Sequence, residues 1–292
     1  MAEDPGKAVR STRREAGARK RVRVPDLIEM KRRGEKIAML TVYDATMARL
    51  LERAGIDVVL VGDSLGNVIM GCETTLPVTL DVMVHHTLAV SRGAKRALVI
   101  ADMPFLTYQV TVAEAVRNAG RLVQEGGAAA VKLEGGRPIL EVVQRLCEIG
   151  IPVMGHLGLT PQSVHKLGGY RQQARAEDDA RRLVEDARAL ELAGAFSVVL
   201  ESIPADVAAA VTAAVSIPTI GIGAGPHCDG QVLVSYDAFG LFDGSIPPFV
   251  KQYARLGELL VSAAAAYAGD VREGRYPAQE RPSSKLPETA VK

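Results

Sequence analysis

Short apolar runs rich in β-branched residues alternate along this chain with longer stretches of helical period, and no other feature narrows the fold as much. A strand buried on both faces reads as an unbroken apolar run, and two such strands lying parallel need a crossover, most simply a helix. Seven runs qualify: 37–42 (IAMLTV), 58–61 (VVLV), 97–101 (ALVIA), 129–133 (AAVKL), 151–154 (IPVM), 196–200 (FSVVL) and 219–222 (TIGI). Between them Ile139, Val142, Val143, Leu146 and Ile149 repeat at helical spacing, as do Ala180, Leu183, Val184, Ala187 and Leu190, so these helices have an apolar face to lay on a sheet. Thr111 with Glu114 reads as a capping box, and Gly126-Gly127 stops the helix it opens.

Seven or eight such units suit an α/β fold of the (β/α)8 TIM-barrel kind better than an open doubly wound sheet. We expect a single barrel domain over residues 25–270, with an N-terminal helix. The eighth strand is open. Residues 231–236 (QVLVSY) follow the seventh run too closely for a helical crossover, so they read as a helix capped by Asp229, with a short strand near Phe249-Val250 as the alternative eighth. A last helix runs through the alanine-rich 262–268.

Both ends look like tails. Residues 1–24 carry eight Lys/Arg against three Asp/Glu with little apolar content, and 271–292 are polar and proline-spotted, so both are expected to be disordered. The whole chain balances 35 basic against 34 acidic residues, which gives no field to attract nucleic acid or an anionic membrane. No apolar run approaches the ~18 residues of a membrane span. Cys72, Cys147 and Cys228 are scattered and odd in number, which argues against a disulfide framework or a zinc cluster. These features predict a soluble cytoplasmic protein with a small-molecule substrate.

In a barrel of this kind the site is built where the strands end, so the residues closing each run are the informative ones. They are Tyr43-Asp44, Asp63-Ser64, Asp102, Lys132 and Glu134, His156, Glu201-Ser202, and the glycine run 221–225. Any one acid could be a helix cap. A lysine, a histidine and several acids at equivalent ends point instead to convergence on one mouth. Asp63, Asp102 and Glu134 offer oxygen ligands that suit Mg²⁺, and a 2-keto acid could complete the shell through its carboxylate and ketone. Lys132, two residues from Glu134, shares its face and could stabilise an enolate oxygen. Glu201 is left as candidate base. His156 either orients substrate or is a hydrogen-bonded core residue. The glycine run could cradle phosphate, let a flat ligand approach, or simply turn the chain, and His85 and His86 read as packing or surface residues.

Taken together, the motifs TVYD (41–44), VGDSLG (61–66), TTLPVTLD (74–81), ADMPF (101–105), VKLEGG (131–136), GHLGLTPQS (155–163), LGGY (167–170), Glu201 before Ile203-Pro204, and the glycine run followed by DGQ (229–231) resemble the ketopantoate hydroxymethyltransferase family. The resemblance covers roughly residues 25–275. It implies transfer of a hydroxymethyl group from 5,10-methylenetetrahydrofolate to 3-methyl-2-oxobutanoate, giving 2-dehydropantoate, through a Mg²⁺-stabilised enolate. It implies Asp63 and Asp102 as direct Mg²⁺ ligands that also meet the substrate, Glu134 as the third through water, Ser64 and Lys132 on the keto acid, His156 close by, and Glu201 as general base. A homodecamer is implied too. Two rivals remain at this stage: a Mg²⁺-dependent lyase or mutase of the phosphoenolpyruvate mutase and isocitrate lyase kind, whose Lys-Lys-Cys-Gly-His loop is absent here, and a non-catalytic module binding a ligand or nucleic acid.

Overall fold

The seven apolar runs form strands, and an eighth closes them into a barrel, in a computed structural model that describes residues 20–277. Pro25 tolerates the first turn of a helix, where no backbone donor is needed, and opens α1 (Val24–Arg32). Then come β1 (Ile37–Thr41), α2 (Ala45–Ala54), β2 (Val58–Val61), the single turn α3 (Leu65–Val68), α4 (Leu80–Gly93), β3 (Leu98–Asp102), α5 (Val112–Gln124) and β4 (Ala130–Glu134). The second half continues with α6 (Leu140–Glu148), β5 (Val153–Gly158), α7 (Val164–Leu167), α8 (Glu177–Leu192), β6 (Ser197–Glu201), α9 (Ala205–Ala214), β7 (Thr219–Ile222) and β8 (Gly230–Leu233). Each strand pairs in parallel with its neighbours in sequence, and β8 pairs with β1.

The barrel lies in one compact unit ending at Leu233. Residues from Val234 onward form a second unit, which contains α10 (Ser235–Ala238) and α11 (Leu256–Arg272) among the described residues. The expected tails, 1–24 and 271–292, lie mostly outside the described residues. Where 1–24 enters them the chain is held: Val22 donates its backbone N–H to Arg96, and Val22 and Val24 pack against the barrel core.

The eighth strand corrects the expectation: 230–233 is a strand, and neither a helix over 231–236 nor a strand at 249–250 forms. Ile220 pairs with Gly230, so the loop from Ile222 has only to drop about two residues and step across one strand spacing, roughly 8 Å in all. Residues 223–229 reach that without a helix. Asp229 caps nothing: its carboxylate accepts from the backbone N–H (2.8 Å) and hydroxyl (3.0 Å) of Thr219, tying the starts of β7 and β8 together.

Strand alternation sends every second residue inward. Ile37, Met39, Val58, Leu60, Leu98, Ile100, Ala130, Met154, Val199, Ile220 and Val232 fill the lower barrel as one apolar cluster. The next inward positions, toward the strands' C-terminal ends, are Asp102, Lys132 and Glu134, His156, and Glu201. One parity therefore gives both the core and the polar mouth above it.

Candidate active site

Asp63 lies just past β2, where the chain must turn inside the mouth. Gly62 makes that turn possible, because a Cβ there would stand 2.7 Å from the Ser64 hydroxyl and 3.6 Å from Asp102. With the side chain absent, the Asp63 N–H donates to Oδ2 of Asp102 at 3.0 Å. Ser64 Oγ lies 2.9 Å from the Tyr43 hydroxyl, which donates to Thr41 at 2.8 Å.

From Asp102 a chain of charge crosses the mouth. Lys132 Nζ is 2.8 Å from Asp102 Oδ1 and 3.3 Å from Nδ1 of His156. That nitrogen is also 3.4 Å from Glu134, while Nε2 of the same ring is 3.1 Å from Glu201. Four carboxylates thus face one ammonium and one imidazole, nearly all out of water, Glu201 being the most accessible with its side chain 16% exposed.

The imbalance shows in the acid–base properties. Burial, then the charges of Asp102 and Glu134, push the Asp63 carboxyl up to about 8. Burial disfavours the Lys132 ammonium, but Asp102, Glu134 and Asp63 outweigh it and hold its pKa above the ordinary value. Burial and Lys132 likewise oppose the imidazolium of His156; the carboxylates of Glu134 and Glu201, 3.4 and 3.1 Å from its ring nitrogens, prevail and set it at about 9. Burial also works against the charged form of Glu134, yet His156, Lys132 and the Gln162 N–H bring that carboxyl below its usual value.

The sequence-derived set Asp63, Ser64, Asp102, Lys132, Glu134, His156 and Glu201 is therefore gathered at one mouth. His156, Asp102, Glu134 and Glu201 lie within strands and do not follow them, because the apolar runs stop at the first polar residue while the ladder continues, as in the Glu134–His156 pairing. Asp44 takes the plainer role and caps α2 through Thr46 and Met47. The glycine run serves a tight turn: Gly223 and Gly225 have positive φ, and a Cβ on Gly225 would strike Ala205 at 2.5 Å. His86 is more than packing, since its Nδ1 lies 2.7 Å from the Tyr43 carbonyl.

Two residues escaped the strand-end reading. Gln162, in the 3-10 turn Pro161–Ser163, donates to Asp63 Oδ2 at 2.9 Å, and its backbone N–H donates to Glu134 at 3.0 Å. Tyr108, in the loop before α5, donates its hydroxyl to Gln162 Oε1 at 2.8 Å. Both sit in irregular chain, where periodicity says nothing; the only signal was that Gln162 falls inside the quoted segment 155–163.

The donor set fits a hard divalent cation. It is all oxygen, its charge is in excess, and Asp102 Oδ1, although beside Lys132, has no aligned hydrogen bond. Among the described residues no three such ligands are already drawn to coordinating distance. Lys132 stands between them as the counter-charge.

A profile of the family described as ketopantoate hydroxymethyltransferase matches residues 21–279. A 3-methyl-2-oxobutanoate hydroxymethyltransferase from Moorella thermoacetica is 56% identical over 262 residues, covering 90% of this chain and 97% of that protein. Proteins of the same name from Pelobacter propionicus and Syntrophus aciditrophicus are 53% and 56% identical, over 90% and 86% of this chain and 97% and 92% of theirs. Among solved structures, 2,3-dimethylmalate lyase superposes with a TM-score of 0.55 at 19% identity (90% of this chain, 91% of that one). Phosphonopyruvate hydrolase, in complex with oxalate and Mg²⁺, does so with 0.59 at 12% (87% and 88%). These two likenesses speak for the fold alone.

Proposed function

The chain belongs to the ketopantoate hydroxymethyltransferase family, and from that premise we propose that it transfers a hydroxymethyl group from 5,10-methylenetetrahydrofolate to 3-methyl-2-oxobutanoate, giving 2-dehydropantoate. The observation that carries the assignment to this mouth is the buried series Asp63, Asp102, Lys132, Glu134, His156, Glu201, with acids in excess at one end and an accessible carboxylate at the other.

In this reading Asp63 and Asp102 would hold Mg²⁺ directly and Glu134 would hold it through water. Bound there, the ion would act as a Lewis acid on the ketone of the keto acid. The chain's own residues do the rest. Ser64, oriented by Tyr43, and Lys132 hold the keto acid, and the Lys132 ammonium faces the oxygen that becomes negative when the C3 proton leaves. Glu201 takes that proton. His156 aims the Glu201 carboxylate through its 3.1 Å contact. C3 then bonds to the methylene carbon of the folate, whose two carbon–nitrogen bonds break. Water supplies the hydroxyl, and its second proton together with the one taken from C3 ends on the two folate nitrogens, so that tetrahydrofolate leaves.

Proton exchange isolates the first step. With 3-methyl-2-oxobutanoate and Mg²⁺ in D₂O, the C3 proton should exchange, followed by NMR, and should stop exchanging in Glu201→Gln. A folded wild type that exchanges nothing sinks the mechanism. The lyase-type rival expects carbon–carbon or carbon–phosphorus cleavage, and the binding-module rival expects no turnover.

Self-association is part of the proposal, as a homodecamer by family resemblance. Its support here is α11, a helix of 17 residues with none buried, which presents Leu259, Leu260, Val261 and Tyr267 to solvent. Molar mass in solution checks it: a monomer at micromolar concentration overturns the assembly. The free cysteines Cys72, Cys147 and Cys228 agree with a reducing compartment such as the cytoplasm.

A further inference from the structure

Asp63 sits in a turn beyond β2, where no ladder holds it, and Glu134 ends on a flexible side chain. Gln162 reaches both. Its Nε2 donates to Asp63 Oδ2 (2.9 Å) and to the Met103 carbonyl (3.0 Å), while its backbone N–H donates to Glu134 Oε2 (3.0 Å). Its Oε1 accepts from the Tyr108 hydroxyl (2.8 Å) and from Gln109 Nε2 (3.2 Å). The amide thereby uses both donors and both acceptor positions. Turning it over would set its carbonyl against a carboxylate and a carbonyl, so one orientation is locked. Tyr108 extends the lock, because its hydroxyl accepts from the Glu134 N–H at 3.1 Å. The loop after β5 is thus strapped to the ends of β2, β3 and β4 through one buried glutamine.

We propose that Gln162, clamped by Tyr108, is a positioning residue that presets Asp63 and Glu134 for the divalent cation; this rests on the reading of those carboxylates given above. Partners that orient metal ligands from behind alter affinity by about 10- to 100-fold when removed. A residue that merely packed would change stability and leave metal affinity alone.

The test measures Mn²⁺ binding by electron paramagnetic resonance on the metal-free full-length protein. Gln162→Leu should weaken Mn²⁺ by about 10-fold or more. Tyr108→Phe, which keeps the amide but removes its clamp, should lose less in the same direction. In turnover both should raise the metal concentration needed and recover kcat when metal saturates. Asp63→Asn is the control. If it fails to weaken Mn²⁺, the reading of the mouth as a metal site falls. If it weakens Mn²⁺ while both Gln162→Leu and Tyr108→Phe, folded by circular dichroism, bind within about twofold of wild type, only the present inference is overturned. Should Gln162→Leu not fold, Tyr108→Phe decides alone.

Discussion

The two ends of the barrel handle charge withdrawn from water in opposite ways, partly buried at the base and fully buried at the mouth. At the base, Lys31 of α1 pairs with Asp229 at 2.9 Å and donates to the carbonyls of Thr212 and Ile217, while Asp229 accepts from the N–H and hydroxyl of Thr219. One cation meets one anion and every donor is used. At the mouth four carboxylates share one lysine and one histidine, and Asp63 is driven to about 8. A fully satisfied, partly buried pair holds structure, whereas an under-neutralised group waits for a ligand. The contrast separates stability from function along one barrel axis.

That contrast can be broken by substitution. Asp63→Asn should lower kcat/KM at least a thousandfold, about 4 kcal/mol, yet raise the stability of the metal-free protein at neutral pH by about 1–2 kcal/mol, since the unfolded chain no longer gains by ionising a carboxyl that the folded mouth keeps mostly protonated. Steady-state kinetics beside urea unfolding checks both halves, and a variant that is both slower and less stable contradicts the division. At the base the signs invert. Asp229→Ala should cost about 3 kcal/mol of stability by stranding the Lys31 ammonium, with kcat nearly unchanged. Combining it with Lys31→Met should cost less than the sum of the two single losses, because no orphan charge remains.

The smallest effect comes from a carboxylate that burial alone shifts. Asp237 in α10 is pushed up to about 6 from 3.8. A carboxyl raised in the folded state contributes stability that is complete below 3.8 and is lost as pH rises through 6. Asp237→Asn should therefore gain about 1–2 kcal/mol at pH 7, and nothing near pH 3.5. A gain that persists in acid shows that the carboxyl's ionisation is not the cause.

How much of this was legible depended on whether an element repeats. β2 matches its apolar run residue for residue, and the inward parity that fills the core also carries Asp102, Lys132, Glu134 and Glu201 to the mouth. The misreading of 230–233 came from a sound expectation about crossovers that short, staggered strands do not need. Gln162 and Tyr108 were missed because their roles arise from loops folding back on strands far away in the chain, Gln162 reaching Asp63 across 99 positions.

Sequence alone determined the barrel class, seven of its strands and the chemical kind of the mouth, because burial imposes a period on the residues that pay for it and acids at strand ends can converge nowhere else. Family membership is carried by the same motifs. Tertiary structure alone decided how the eighth strand closes the barrel, which acid is crowded and which is paired, and that a glutamine straps the site together. Those depend on distances between segments remote in sequence, and electrostatic and hydrogen-bond energies change steeply over the few ångströms that a linear pattern does not record.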